Sequence, residues 1–126
     1  MQVRVTHHGD VSVLSFDSGE VLDSTVASDV KAQVFRRIDG RTDLVIDLSR
    51  LEFVDSAGLG VLVGAYKRVK QRGRRVAVAG AQPYVVRVMK IIKLDQVFEA
   101  FPDVQSALDD LSRNEPIGAG GTRRRR

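Results

Sequence analysis

The sequence predicts an α/β domain in which a mixed sheet of four to five strands is combined with about four helices. Short and nearly continuous apolar runs, typical of buried strands, occupy residues 44–48 and 75–80. Longer segments with apolar residues at every third or fourth position, typical of amphipathic helices, lie between and beside them. Because strands and helices alternate, neighbouring central strands are expected to run parallel and to be joined by right-handed crossovers.

The first three elements are a hairpin and a helix. Residues 2–8 and 11–16 alternate in polarity on either side of the turn signal Gly9-Asp10, which indicates two antiparallel strands. An amphipathic helix of about 15 residues follows, with Asp23 or Ser24 as its N-cap and Gly40 beyond its end. Its apolar stripe consists of Val26, Val30, Val34 and Ile38. The helix therefore has one face to bury against the sheet.

The later elements complete the order β-β-α-β-α-β-α-(β)-α. A second helix begins in the segment LEFVDSAGLG (51–60) and ends at Gly73. Pro83 opens a third helix, as proline commonly does at the first helical position. Residues 96–101 are predicted to form a short edge segment, and residues 103–111 a last helix capped by Asp103.

Composition indicates one domain, residues 1–112, followed by a disordered tail rich in glycine and arginine, residues 113–126. A chain of 126 residues is long enough for a single hydrophobic core. The tail holds five arginines and one glutamate, which accounts for the whole net charge of +4. With a neutral folded part, nucleic-acid binding is not expected apart from nonspecific contacts of the tail. The absence of cysteine excludes disulfides and thiolate metal sites, and with no signal-peptide pattern it suggests a cytoplasmic protein.

The segment Asp55-Ser56-Ala57-Gly58-Leu59-Gly60, at the junction of a strand and a helix, is the main candidate site. A serine hydrolase would need a glycine two residues before the serine, where Val54 stands, and a nearby histidine. The glycine spacing also fails to match the common nucleotide-binding motifs. A helix N-terminus would accommodate a phosphate on Ser56. Residue types alone leave a structural alternative open, in which Ser56 caps the helix and the glycines permit tight packing.

The run VIDLSRLEFVDSAGLGVLVGAYKRVKQRG resembles the signature region of STAS domains, and in particular of bacterial anti-sigma factor antagonists. The similarity extends over nearly all of residues 1–112 and implies a STAS-like sandwich. In that family the serine that matches Ser56 is phosphorylated by an anti-sigma factor, which is a serine kinase. The unphosphorylated antagonist binds this kinase and releases a sigma factor, and a phosphatase resets the cycle.

The resemblance implies a regulatory interaction domain for transcription in the stress response, not an enzyme. It implies no cofactor, since ATP belongs to the partner kinase, and no membrane association. We expect a monomer or weak dimer. Ser56 is the implied phosphoacceptor. The implied partner-binding residues are Asp23, Ser24, Asp47, Asp55, Ala57, Gly58, Leu59 and Gly60.

Two departures from the family pattern stand out. The run Gly19-Glu20-Val21-Leu22-Asp23 is one residue longer than usual, and Lys93 stands where a glycine commonly ends the third helix. The left-handed glycine cap is therefore expected to be missing. Two other functions stay open at this point: a STAS scaffold or sensor in another signalling assembly, and a STAS domain that binds a nucleotide or lipid.

Overall fold

The first two strands form the predicted hairpin. In the computed structural model, which describes residues 1–17 and 21–112, β1 (Val3–His8) and β2 (Val11–Phe16) pair antiparallel. Gly9 adopts the left-handed conformation at the turn, with φ 66°. The remaining elements are β3 (Val21–Leu22), α1 (Ala27–Arg37), β4 (Asp43–Asp47), β5 (Phe53–Val54), α2 (Ser56–Lys70), β6 (Val76–Ala79), α3 (Pro83–Ile91), a 3₁₀ helix (Leu94–Gln96), β7 (Glu99–Phe101) and α4 (Val104–Ser112).

A five-stranded mixed sheet in the order β1-β2-β4-β6-β7 organises the described residues. Only the β1–β2 pair is antiparallel; β2, β4, β6 and β7 run parallel. This arrangement confirms the predicted fold class and the parallel central strands. A separate two-stranded parallel sheet, β3–β5, was not predicted as such, because strands of two residues are too short to show an alternating pattern.

Helices cover both faces of the main sheet. The larger apolar cluster lies between the sheet and α1, α2 and α3, and includes Leu14, Ile46 and Leu62. The smaller cluster lies beneath α4 and includes Val45 and Leu111. Neighbouring residues of β4 thus contribute to opposite layers, as the alternation of side chains along a strand requires. Because both faces are covered, the middle of the central strand, residues 44–46, is apolar.

Helix α1 begins later than predicted. Its N-cap is Val26, which makes no side-chain cap hydrogen bond, so neither Asp23 nor Ser24 has the predicted role. The amides of Val26 and Ala27 both donate to the Asp23 carbonyl, which makes residues 23–26 a turn that leads into the helix. The Asp23 carboxylate instead binds Thr25 within that turn. The Asp23 side chain therefore stabilises the turn before α1, and the regular helix begins only after that turn.

The end of α3 corrects a second expectation. Lys93 has φ 65° and is the only non-glycine residue with positive φ among the described residues. The glycine is absent, as the sequence shows, but the left-handed conformation that it would adopt is present. The 3₁₀ helix after Lys93 delays the edge strand, which spans Glu99–Phe101 within the predicted segment 96–101.

Two predictions fall on residues outside the described part of the chain. These are the disordered tail, residues 113–126, and the start of the lengthened run, Gly19 and Glu20. The division into a domain at residues 1–112 and a tail stays a prediction.

Candidate functional site

The Asp55 carboxylate joins two segments of the candidate site. Asp55 is the N-cap of α2, and its Oδ1 accepts a hydrogen bond from the Gly58 amide at 2.9 Å. Its Oδ2 accepts a second hydrogen bond, at 3.1 Å, from the amide of Ser24 in the turn before α1. An extended backbone at Asp55 (ψ −172°) allows this capping geometry. One side chain therefore fixes the start of α2 against residues 23–25.

Ser56 is the first residue of α2 and is exposed. The cap hydrogen bond belongs to Asp55, so the alternative in which Ser56 caps the helix is not supported. Positions at the start of a helix lie next to backbone N–H groups without intrahelical partners and at the positive end of the helix dipole. The Ser56 hydroxyl thus lies on the surface in a local field that favours negative charge.

The two glycines of the segment have different surroundings. Gly58 is buried, and a Cβ atom there would lie 2.2 Å from the Leu22 carbonyl oxygen and 2.7 Å from Val54 Cγ2. A Cβ on the exposed Gly60 would meet nothing within 4 Å. Close packing of α2 on β3 explains the first glycine and not the second. Gly60 is therefore the one that leaves a side-chain-free position on the surface.

Asp23 and Ser24 lie directly beside the Asp55 bridge. Asp23 Oδ1 accepts hydrogen bonds from the Thr25 hydroxyl at 2.6 Å and the Thr25 amide at 3.0 Å. These two bonds lower the pKa of Asp23 from its ordinary value of 3.8, so the carboxylate is negative at neutral pH. Ser24 is exposed and Asp23 half-buried. Two carboxylates, Asp23 and Asp55, thus flank the surface next to Ser56.

The other predicted site residues stabilise the local structure. Asp47 ends β4, and its Oδ1 accepts a hydrogen bond from the Ser49 amide at 3.0 Å, which stabilises the turn after the strand. Ala57 is half-buried against the larger core cluster, and Leu59 is part of that cluster. These residues position the start of α2 and the end of β4. The Asp55 bridge itself involves only Ser24 and Gly58 among the described residues.

An aromatic pair near Ser56 was not identified from the sequence. Phe53 and Tyr84 stack with ring centroids 5.4 Å apart and an interplanar angle of 20°. Their exposed fractions are 39% and 40%. The two residues are 31 positions apart, and only the packing of α3 against β5 brings them together. No local sequence signal indicates such a contact.

The described residues are poorly arranged for a serine hydrolase or for a metal site. His7 Nδ1 lies 3.0 Å from Ser12 Oγ on the β1–β2 hairpin, so this imidazole contacts a serine other than Ser56. Among residues 1–17 and 21–112, no group of three or more histidines or carboxylates could hold a metal ion. In the same part of the chain, no helix combines the length and apolar character needed to cross a bilayer.

Known proteins are similar to this chain in both sequence and fold. The family model of the STAS domain matches residues 2–107. The "Anti-sigma F factor antagonist" of Paenibacillus polymyxa is 33% identical over 88% of this chain and 95% of its own length. The "Anti-sigma-B factor antagonist" of Listeria monocytogenes is 35% identical over 76% of this chain and 81% of its own. A solved STAS domain protein from Planctomyces limnophilus superposes with a TM-score of 0.82 at 28% identity, over 87% of this chain and 97% of that one. The chain therefore belongs to the STAS domain family.

Proposed function

We propose that this chain is an anti-sigma factor antagonist whose binding to an anti-sigma factor is switched off by phosphorylation of Ser56. The relatives named as antagonists support the first half of the proposal. The observation that carries the second half is the position of Ser56, exposed at the first residue of α2 and directly after the Asp55 bridge. The partner is proposed to be a serine kinase that binds the ATP, and the chain itself to act in the cytoplasm without catalysing a reaction.

The docking surface is proposed to centre on the exposed members of the predicted set. Ser24, Ser56 and Gly60 are exposed, and Asp23 is half-buried beside them. A partner backbone could approach Gly60 closely because that position has no side chain. The remaining predicted residues would act by position, since Gly58 and Leu59 are buried and Asp55 holds the two segments together.

Electrostatics explains how one phosphate could end the interaction. A phosphoserine adds a charge of about −1.5 to −2 at neutral pH. The start of α2 tolerates this charge, so the domain should stay folded. A partner that fits the unmodified surface would have to desolvate the phosphate beside the carboxylates of Asp23 and Asp55. The penalty could reach several kcal/mol, and each ~1.4 kcal/mol weakens binding tenfold.

Titration of the purified anti-sigma factor kinase with matched variants tests this proposal. We expect Ser56→Ala to bind like the wild type, whereas Ser56→Glu and the phosphorylated protein bind at least about 100-fold more weakly. Ser106→Glu is the charge control, because Ser106 lies in the first turns of α4 on the opposite face of the sheet. Equal affinities of all these forms would refute the switch.

A phosphorylation assay identifies the acceptor residue independently. Incubation with the kinase and Mg-ATP should add one phosphate to the wild type and none to Ser56→Ala, as measured by intact-protein mass spectrometry. A phosphatase should then restore binding. Transfer of phosphate to Ser56→Ala would place the acceptor at another residue and contradict the proposed role of Ser56.

A further inference from the structure

Large apolar side chains are exposed next to the Ser56 surface. Val21 and Phe53 are partners in the two-stranded β3–β5 sheet and are exposed, at 43% and 39%, whereas Leu22 and Val54 are buried. The outer face of this small sheet is therefore apolar. The stack of Phe53 on Tyr84 extends the apolar surface onto α3. The surface begins only three residues before Ser56.

Helix α3 carries a further exposed apolar side chain two turns after Tyr84. Ile91, with an exposed fraction of 72%, lies seven residues after Tyr84 and so on nearly the same side of the helix. The buried side of α3 is formed by Val85 and Met89. We call Val21, Phe53, Tyr84 and Ile91 the apolar patch. Contiguous apolar surface with a polar border commonly marks a protein interaction site.

The α3 border of the apolar patch is positively charged. Arg87, Lys90 and Lys93 are exposed, and α3 contains no acidic residue. This charge argues against a second copy of the chain as the occupant, because a symmetric contact through α3 would bring like charges together. On the α3 side it favours a partner surface with an apolar centre and acidic residues at its edge.

We propose that the apolar patch is the main affinity determinant for the anti-sigma factor, which would contact it with an apolar surface bordered by acidic residues. This inference rests on the proposed function and adds a second part to the interface. Exposed aromatic side chains are typical anchors of protein interfaces. In this arrangement the patch provides most of the affinity, and Ser56 beside it determines whether the complex can form.

Surface substitutions on α3 test the apolar part. Tyr84→Ser and Ile91→Ser should each weaken binding of the purified anti-sigma factor kinase about tenfold or more. Val86→Ser is the matched control, because Val86 is similarly exposed, at 38%, but lies about 160° around α3 from Tyr84. Circular dichroism and urea unfolding verify that the variants are folded. Ile91→Ser is a more stringent test of binding than Tyr84→Ser, because a side chain as exposed as Ile91 contributes little to stability.

Charge reversal tests the border. Arg87→Glu with Lys90→Glu should lower the association rate about tenfold at low ionic strength and much less at high salt. Arg36→Glu with Lys70→Glu is the control, because these exposed basic residues lie on α1 and α2. An equal loss in both double variants would mean that net charge alone matters and would overturn the assignment of the border.

The outcomes of these experiments distinguish a failure of the patch proposal from a failure of the proposed function. If the wild type binds the kinase and the Tyr84 and Ile91 variants bind equally well, the patch is overturned while the proposed function stands. If the wild type binds no anti-sigma factor, the proposed function fails, and the partner assigned to the patch fails with it. Sedimentation of the chain alone tests whether a second copy of the chain occupies the patch. A dimer that Ile91→Ser abolishes would overturn the proposal in favour of self-association.

Discussion

Gly58→Ala should destabilise the domain although alanine is the better helix former. The new Cβ would lie 2.2 Å from the Leu22 carbonyl oxygen, whereas a carbon and a carbonyl oxygen normally approach to about 3.3 Å. Helix α2 and β3 would have to separate by about 1 Å. The Leu22 carbonyl cannot yield freely, because it also accepts the hydrogen bond from the Asp55 amide. The substitution therefore disturbs the packing and the entry to the helix together.

The expected magnitude follows from three opposing contributions. Alanine in place of glycine gains about 1 kcal/mol of helix propensity. Overpacking costs about 1–3 kcal/mol, and weakening the Asp55–Leu22 hydrogen bond costs about 1 kcal/mol more. The free energy of unfolding of Gly58→Ala should therefore fall by about 1–3 kcal/mol. Gly60→Ala is the matched control, because its Cβ meets nothing within 4 Å, and it should be stabilised by about 1 kcal/mol.

Urea unfolding followed by circular dichroism measures both changes. With a denaturant slope of about 1–3 kcal/mol per molar, the midpoints of the two variants should differ by roughly 1–2 M. Their order is the decisive result: Gly60→Ala above the wild type and Gly58→Ala below it. A Gly58→Ala variant as stable as Gly60→Ala would refute the close approach of α2 to β3.

Three further predictions concern single interactions. Asp55→Asn keeps an oxygen for the cap but loses the second acceptor for the Ser24 amide, so urea unfolding should show a smaller loss than the roughly 1 kcal/mol expected for Asp55→Ala; no loss in Asp55→Asn would mean that the bridge contributes nothing. Lys93→Gly should raise the free energy of unfolding by up to about 1 kcal/mol, since φ 65° is strained for lysine, and a decrease would contradict this. The hydrogen bonds from Ser106 lower the pKa of Asp103 below its ordinary 3.8. The contribution of Asp103 to the free energy of unfolding is therefore complete above pH 3.8 and is lost as the pH falls through the lower pKa of the folded state. Asp103→Asn keeps a cap for α4 and should flatten this acid limb in pH-dependent unfolding, whereas an unchanged limb would show that Asp103 does not contribute to it.

The sequence predicts well those features that depend on neighbouring residues. Apolar periodicity places the helices, and the nearly continuous apolar run at residues 44–48 identifies β4 as a buried central strand. The cap of α4 by Asp103 was also correct, because a cap involves residues only three positions apart. Local chemistry is enough for each of these features.

Features that residue type and local periodicity do not determine could not be predicted. The need for glycine at position 58 arises from a carbonyl 36 residues earlier, at Leu22. The late start of α1 reflects the turn before it, in which the Asp23 carboxylate accepts both of its hydrogen bonds from Thr25. Lys93 adopts a left-handed conformation that its residue type disfavours, because the chain must turn from α3 into the 3₁₀ helix. Tertiary packing determines the first of these features, whereas the other two are local arrangements that residue type alone does not reveal.

The shared Asp55 carboxylate has a consequence for local opening. The amides of Ser24 and Gly58 donate to the two oxygens of one side chain, so neither can be released to solvent without disturbing the other's acceptor. Their hydrogen exchange should therefore slow or quicken together, although they lie 34 residues apart. Ordering the turn at residues 23–25 would stiffen the start of α2, and by reciprocity a change at the start of α2 would be felt in that turn. We therefore expect the two segments to open as one cooperative unit that is smaller than the domain.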